Sequence, residues 1–356
     1  MKKILYIILI SVLWGQFDNV GTSAANFLKI NVGARGSALG GAYSAQVEDA
    51  SALYWNPAGM GMIDKPEIQF NSTDWIFDVQ HQFFAAVFPA GFGKLGLSIS
   101  YLTMGEIKET TLADPDGTGR KITSSDLALS LGFARRVSDH FVFGIQGKYI
   151  RETISFSSAS AIAMDAGSQY LTGFHGLKIG MSLSNFGSKM RLFGTDQLID
   201  VDVDPDLGAN PQVNGRLDTK DWPLPMVFRF GLSMQLLGEK GVVNPGPATA
   251  VLNVEYIDPR DFNPYYVIAT EVAVMDLIFI RIGQTYQFLR FDESLADEAI
   301  YDALTTEKGY VPRLSWGVGL SSKNFPLIPY DLHVDYSVSD MGILNMVNRL
   351  TFTLVL

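Results

Sequence analysis

Residues 126–136 read DLALSLGFARR. Leu127, Leu129, Leu131 and Phe133 fall on one face of an extended chain, and Ala128, Ser130, Gly132 and Ala134 on the other, because side chains alternate across a strand. The period is two, not the 3.6 of a helix. The same alternation recurs downstream. Leu177, Ile179, Met181 and Leu183 oppose Lys178, Gly180, Ser182 and Ser184; Phe228, Phe230, Leu232 and Met234 oppose Arg229, Gly231, Ser233 and Gln235. Leu314, Trp316, Val318 and Leu320 repeat the pattern, and the chain ends on Leu350, Phe352, Leu354 and Leu356 opposing Arg349, Thr351, Thr353 and Val355. From Glu67 onward there are about fourteen such segments of roughly ten residues, and outer-membrane barrels need an even number.

Alternation alone does not separate a soluble sandwich, with its apolar face inward, from a barrel with that face in lipid. Three features favour a transmembrane antiparallel β-barrel of about fourteen strands over a secreted soluble β protein. Lys2, Lys3 and the apolar run 4–13 have the layout of a secretory signal peptide, too short to span a bilayer, with cleavage expected near Gly15 and Gln16. Segments of about ten residues suit a tilted strand crossing a membrane, whereas sandwich strands are nearer five or six. Finally, if the first strand rises from the periplasm, the three longest connections, 104–124, 186–224 and 287–310, all fall on the outer side, as such barrels require. The expected organisation is a signal peptide over 1–15, an N-terminal plug over 16–65 and an outer-membrane barrel over 66–356.

Composition agrees and excludes other classes. Charged residues are only 18%, while aromatics reach 12% and glycines number 34, which suits strands facing something other than water. A net charge of −10 with no basic stripe argues against nucleic-acid binding. With no cysteine, disulfides, thiolate metal sites and cysteine nucleophiles are absent. The alternating faces put Lys148, Lys178, Arg229, Glu255, Glu271, Arg281, Arg313, Asp335 and Arg349 in the lumen, where they are expected to pair with one another and with a plug.

Residues 16–65 break the strand pattern. Gly33, Gly36, Gly40 and Gly41 superficially suggest a phosphate loop, but their spacing fits neither nucleotide fingerprint and no lysine follows; close backbone packing is the reading adopted. His81, His140, His175 and His333 lack ligand spacing. Residues 114–119 (DPDGTG) echo the start of a calcium loop without its closing glutamate, and Asp200, Asp202, Asp204 and Asp206 alternate in an outer loop; both read as solvated acidic loops. No serine elbow appears. No enzyme, cofactor or metal site is expected.

Two passages carry a family resemblance: residues 27–61, FLKINVGARGSALGGAYSAQVEDASALYWNPAGMG, and residues 160–170, SAIAMDAGSQY, which include Asp165, Gly167 and Tyr170. Both resemble the PorV/PorQ family of outer-membrane proteins, within the wider FadL-like group of fourteen-stranded barrels with an N-terminal plug. The resemblance implies type IX secretion, in which the barrel binds the C-terminal signal domain of an exported cargo and works with other secretion-system components in outer-membrane lipid. FadL-like relatives imply the alternative, passage of a hydrophobic ligand through the lumen. In this scheme residues 50–61, ASALYWNPAGMG, join plug to barrel. Asp49 starts a short helix that ends at the Asn56-Pro57 turn, Tyr54 and Trp55 anchor the plug, and Gly59 and Gly61 pass the barrel wall closely.

Overall fold

The computed structural model describes residues 21–201, 214–244, 246–288, 310–323 and 330–356. The expected signal peptide, residues 16–20 of the plug, and Asp202, Asp204 and Asp206 lie outside them. Fourteen strands form one ring: β1 (Glu67–Asp74), β2 (Gln80–Ala90), β3 (Gly93–Lys108), β4 (Lys121–Arg136), β5 (Phe141–Ile154), β6 (Ser157–Leu171), β7 (Lys178–Gly187), β8 (Val227–Leu237), β9 (Ala248–Pro259), β10 (Tyr265–Val274), β11 (Ile278–Phe288), β12 (Tyr310–Ser321), β13 (Asp331–Asp340) and β14 (Met346–Val355). Each pairs antiparallel with its sequence neighbour, and β1 closes on β14 from Glu67 opposite Val355 to Asp74 opposite Asn348. Closure satisfies every edge, as a wall in lipid demands.

The wall is inverted relative to a soluble core. On β4, Leu129 and Leu131 are 41% and 73% exposed, while Ala128 and Ala134 are buried. Ile278, Ile280 and Ile282 on β11 and Leu314, Trp316, Val318 and Leu320 on β12 also point out. Large apolar side chains face outward and small or polar ones inward, so the soluble-sandwich reading fails and the chain is an outer-membrane barrel. β3 and β4 run to 16 residues each, longer than a membrane crossing needs. Their outer ends carry paired charges around Ile107 and Ile122: Glu106 pairs with Lys121, and Glu109 with Arg120 at 2.5 Å. These ends are a solvated hairpin extension beyond the bilayer.

Residues 21–65 thread the barrel from the outer mouth to the inner one. At the outer end Ala24 N–H donates to the Pro223 carbonyl at 2.9 Å, and Lys29 pairs with Asp261 in the β9–β10 connection at 2.7 Å. At the inner end Lys94, beside the β2–β3 turn, reaches Asp64 at 3.4 Å. Between them lie a 3-10 turn (Asn26–Lys29), α1 (Ala34–Ala38), α2 (Ala52–Trp55) and a second 3-10 turn (Pro57–Met62). Two apolar clusters fill the lumen. The inner one gathers Leu39, Tyr43, Val47, Leu53, Trp55 and Met60 against wall residues such as Val87 and Val267. The outer one sets Phe27, Leu28 and Ile30 against Ala128, Ile150, Ala159, Ala161 and Ala163.

Candidate functional site

Three regions of the barrel are candidates: the plug's seat, a chamber beside it, and the long outer connection. The seat is built from the two motifs singled out in the sequence. Trp55 is wholly buried and its indole N–H donates to the Val32 carbonyl at 3.1 Å. Its ring lies flat over Gly36, where any Cβ would come within 2.7 Å of it; only glycine fits beneath. Tyr43 and Tyr54 meet the Trp55 ring edge-on at 6.1 and 4.8 Å between centroids. Gly33, Gly40 and Gly41 take positive φ of 74°, 64° and 96° around α1. Asp49 sits before α2, where its Oδ1 accepts from the Ser51 N–H at 3.0 Å and its Oδ2 from the Tyr43 hydroxyl.

Asn56 ends α2 and caps the next turn. Its Oδ1 accepts from the Ala58 N–H at 3.1 Å, and Pro57 occupies the first position of that turn, where a missing N–H costs nothing. Its Nδ2 donates to the Ser44 carbonyl at 2.9 Å and to the Ser168 carbonyl on β6 at 3.0 Å. Gly167 lies directly under Asn56, and a side chain there would strike its amide. The two motifs therefore meet. Asp165, also on β6, accepts from Gln146 at 2.6 Å and from the Asn185 N–H at 2.7 Å and pairs with Lys148 at 2.6 Å. Asn185 takes φ 62° where the β6–β7 register shifts, so a bulge turns its amide onto Asp165.

Tyr170 is on the opposite face from Asp165 and Gly167 and points outward, 46% exposed, because an odd separation along a strand changes faces. One placement, that of Gly59, differs from expectation. Gly59 packs against the plug's own Val47, whose carbonyl oxygen a Cβ would approach to 2.6 Å, whereas Gly61 does meet the wall at Val142 on β5. A 3-10 turn curls Gly59 back onto the plug, so its glycine serves plug packing and not passage along the wall. The acidic stretch 114–119 forms a tight turn, with the Gly117 N–H donating to the Asp114 carbonyl at 3.1 Å.

Several wall residues that hold the plug were not singled out in the sequence, Gln169 among them although it lies within residues 160–170. Gln169 donates to three plug carbonyls, of Ser44, Ala45 and Val47 at 3.2, 3.3 and 2.9 Å. Ser182 donates to the Trp55 carbonyl at 3.0 Å, and Gln146 to that of Leu53 at 2.7 Å. Their signal was present as polar residues at inward positions of otherwise apolar-alternating strands. Charge pins the opposite side. Arg35 forks onto Glu271 at 2.7 and 2.9 Å, Glu271 also meets Arg281 at 2.5 Å, and Arg281 continues to Asp335 at 2.5 Å. Gln46 adds a bond to Glu271 at 2.7 Å. Desolvation would lower the Arg35 pKa, but Glu271, Tyr43 and Asp49 together more than offset it, leaving the guanidinium firmly charged. Near the inner mouth Glu48 pairs with Lys178 at 3.0 Å; burial alone would raise its carboxyl, but Lys178 and then Arg35 hold it below the usual range.

The expected partnering with one another or with the plug holds for Lys148, Lys178, Glu271, Arg281 and Asp335, and through plug backbone for Glu255 and Arg349, but three arginines lack a carboxylate. Among the described residues Arg229, Arg313 and Arg349 have no carboxylate within 4.0 Å, and all three line a chamber of about 260 Å3 beside the plug. Arg229 instead lies over the Tyr54 and Trp55 rings at 5.6 and 5.5 Å. Burial pushes the Tyr54 phenol up to about 12, so it stays neutral beside them.

The outer connection 188–226 contains a small hairpin in which Leu198–Asp200 pairs with Asn214–Arg216. Phe193, Leu198, Ile199 and Leu217 are exposed on it, at 49%, 43%, 41% and 57%. Its base is anchored, since the Met190 and Trp222 backbones exchange hydrogen bonds of 2.8 and 2.9 Å and Met190 is wholly buried.

The model of the family described as "Type IX secretion system protein PorV" matches residues 15–192. No curated protein sequence matches the chain. Among solved structures the chain is similar to the CymD monoaromatic hydrocarbon channel, at a TM-score of 0.52 and 10% identity over 91% of this chain and 96% of that one. It is also similar to the toluene transporter TbuX of Ralstonia pickettii, at a TM-score of 0.51 and 13% identity over 90% and 96%. At such identity the likeness is one of fold.

Proposed function

The chain belongs to the PorV family of type IX secretion system proteins, and on that premise we propose that it serves protein export, holding exported cargo on the outer face of the membrane. The family match is the observation that carries this reading. Two features of the molecule support it. The plug is bonded to the wall on both sides of the lumen, through Gln169 and Ser182 on one and Glu271 on the other, so the working surface is the outer face. There the hairpin of connection 188–226 presents Leu198 and Ile199, with Leu217 next to it, and exposed apolar residues outside a membrane mark contact surfaces. The occupant proposed is the C-terminal signal domain of a secreted protein.

The test uses Leu198→Asp combined with Leu217→Asp, which spares the buried Met190. The barrel should assemble normally, and surface attachment of a cargo bearing such a signal domain should fall by about tenfold, the size of one lost contact centre. Attachment at the wild-type level with both substitutions present would overturn the proposal. A second reading, passage of an apolar solute, draws on the outer vestibule of about 930 Å3 that Phe27, Trp75, Leu102 and Phe262 line. Its test is uptake of a labelled monoaromatic hydrocarbon by cells with and without the protein, and equal rates would discard it.

A further inference from the structure

Burying a cation without a partner costs several kcal/mol, and the barrel buries two with a third beside them. Arg229 and Arg349 are 5% and 2% exposed, and Arg313 is half-buried. They come from three separate strands, yet each is the third or fourth residue from its strand's outer end on β8, β12 and β14. They thus sit at a common depth and face one chamber. Every other lumenal basic group named above has a carboxylate.

The nearby acids stop short of the forks: among the described residues none comes within 4.0 Å of the three arginines, although Glu255 and Asp261 each keep one unpartnered oxygen and Glu255 feels the charge of Arg229 at longer range. Glu255, on the β9 strand beside Arg229, accepts from the Ser44 N–H at 2.9 Å. Asp261 is taken by Lys29, the chamber's fourth basic residue. Asp340, at the rim, accepts from the Gly342 N–H at 2.7 Å. Donors are left over. Arg349 uses Nε on the Asn31 carbonyl at 3.1 Å and Nη1 on Ser339 at 3.0 Å, both neutral acceptors. The Nε atoms of Arg229 and Arg313 are buried with no hydrogen-bond partner. A guanidinium offers five N–H groups in a fixed fork that matches an oxyanion. Around the forks stand Asn31, Thr285, Gln287 and Ser315, all able to bond oxygen.

We propose that this chamber binds a small polyvalent oxyanion of the phosphate class through Arg229, Arg313 and Arg349. Size limits the ligand, because sites for drug-sized molecules begin at about 300 Å3 and the chamber holds about 260 Å3. The site is within the barrel, so a free anion and not a membrane lipid headgroup is the occupant. Asn31 and Lys29 belong to the plug and the arginines to the wall, so the bound anion bridges the two.

The test is calorimetric titration of the purified full chain, in phosphate-free detergent solution, with inorganic phosphate against sodium chloride of equal ionic strength. Wild type should bind phosphate saturably. Arg229→Gln, Arg313→Gln and Arg349→Gln should each weaken binding by about tenfold, the order of one charge-assisted hydrogen bond, and Asp340→Asn should tighten it. If the buried variants fail to fold, Arg313→Gln carries the test, because its side chain holds no hydrogen bond or ion pair among the described residues. No saturable phosphate heat in wild type, or wild-type affinity in Arg313→Gln, overturns the proposal. Monododecyl phosphate separates the two sources of the anion: binding no tighter than phosphate supports a free anion, and tighter binding overturns the small-ligand assignment.

Discussion

In the inner half of the lumen, residues 31–63 meet the wall through directed bonds: Asn56 to β6, Arg35 to β10, the Ala34 N–H to Thr351 on β14 at 2.7 Å. In the outer half, residues 24–30 meet it mainly through Phe27, Leu28 and Ile30 on a bed of alanines. Directed bonds fix one position, whereas apolar area tolerates sliding and repacking. The packing follows suit. The inner cluster leaves no room for a Cβ at Gly36, while a vestibule of about 930 Å3 and the arginine chamber open beside the outer segment. One continuous plug thus combines a rigid stopper below with an adaptable lining above.

The largest test of this contrast is Trp55→Ala. Losing a fully buried aromatic from the inner cluster should cost about 3–5 kcal/mol, read as a fall in the temperature at which the barrel loses its folded electrophoretic mobility. Glu271→Ala should cost about 3 kcal/mol by the same assay, since Arg35 and Arg281 both lose their shared carboxylate. Asn56→Ala removes bonds to Ser44 and Ser168 and should cost about 2 kcal/mol. Ile30→Ala, its outer counterpart, lines the outer vestibule, whose open volume absorbs the change, and should cost about 2 kcal/mol or less. An Ile30→Ala loss equal to that of Trp55→Ala would break the contrast.

The smallest effect concerns pH. The Glu48 carboxyl is held below its ordinary value of 4.5, so the stability it adds is present above that pH and is lost as pH falls through its lower folded value. Melting in mild acid should therefore drop slightly more for wild type than for Glu48→Gln. Identical acid dependence would remove Glu48 from the inner anchoring set.

The strands were legible because lipid imposes an inverted period-two pattern that few other environments produce, as residues 126–136 show. Loop length also read: connections 188–226 and 109–120 are long, at the end of the barrel where the parity argument expects outer loops. Local turn chemistry at Asn56-Pro57 also read correctly, since a cap depends on neighbours in sequence. What failed to read was depth and partnership. Arg35 and Glu271 are 236 residues apart, and a face assignment says nothing of which plug atom a lumenal side chain meets. The threading direction was hidden for the same reason, as were the bulge at Asn185 and the unpaired state of Arg229, Arg313 and Arg349. Gly59 and Gly61 look alike in sequence, and only the curl of the 3-10 turn sends one inward and one to the wall.

The plug also holds the two strands that join the ends of the sheet. The Ala50 N–H donates to Glu67 on β1 at 2.6 Å, and on β14 Arg349 reaches the Asn31 carbonyl while Thr351 accepts from Ala34. In a barrel made from one chain, the ladder between first and last strands spans the longest loop and is the slowest to find. A segment that grips both strands from within acts as a clasp that shortens that search. Removal of residues 27–58 should therefore appear first as a lag before the closed, heat-resistant species forms, and a truncated chain that closes at the wild-type rate would release the plug from this role.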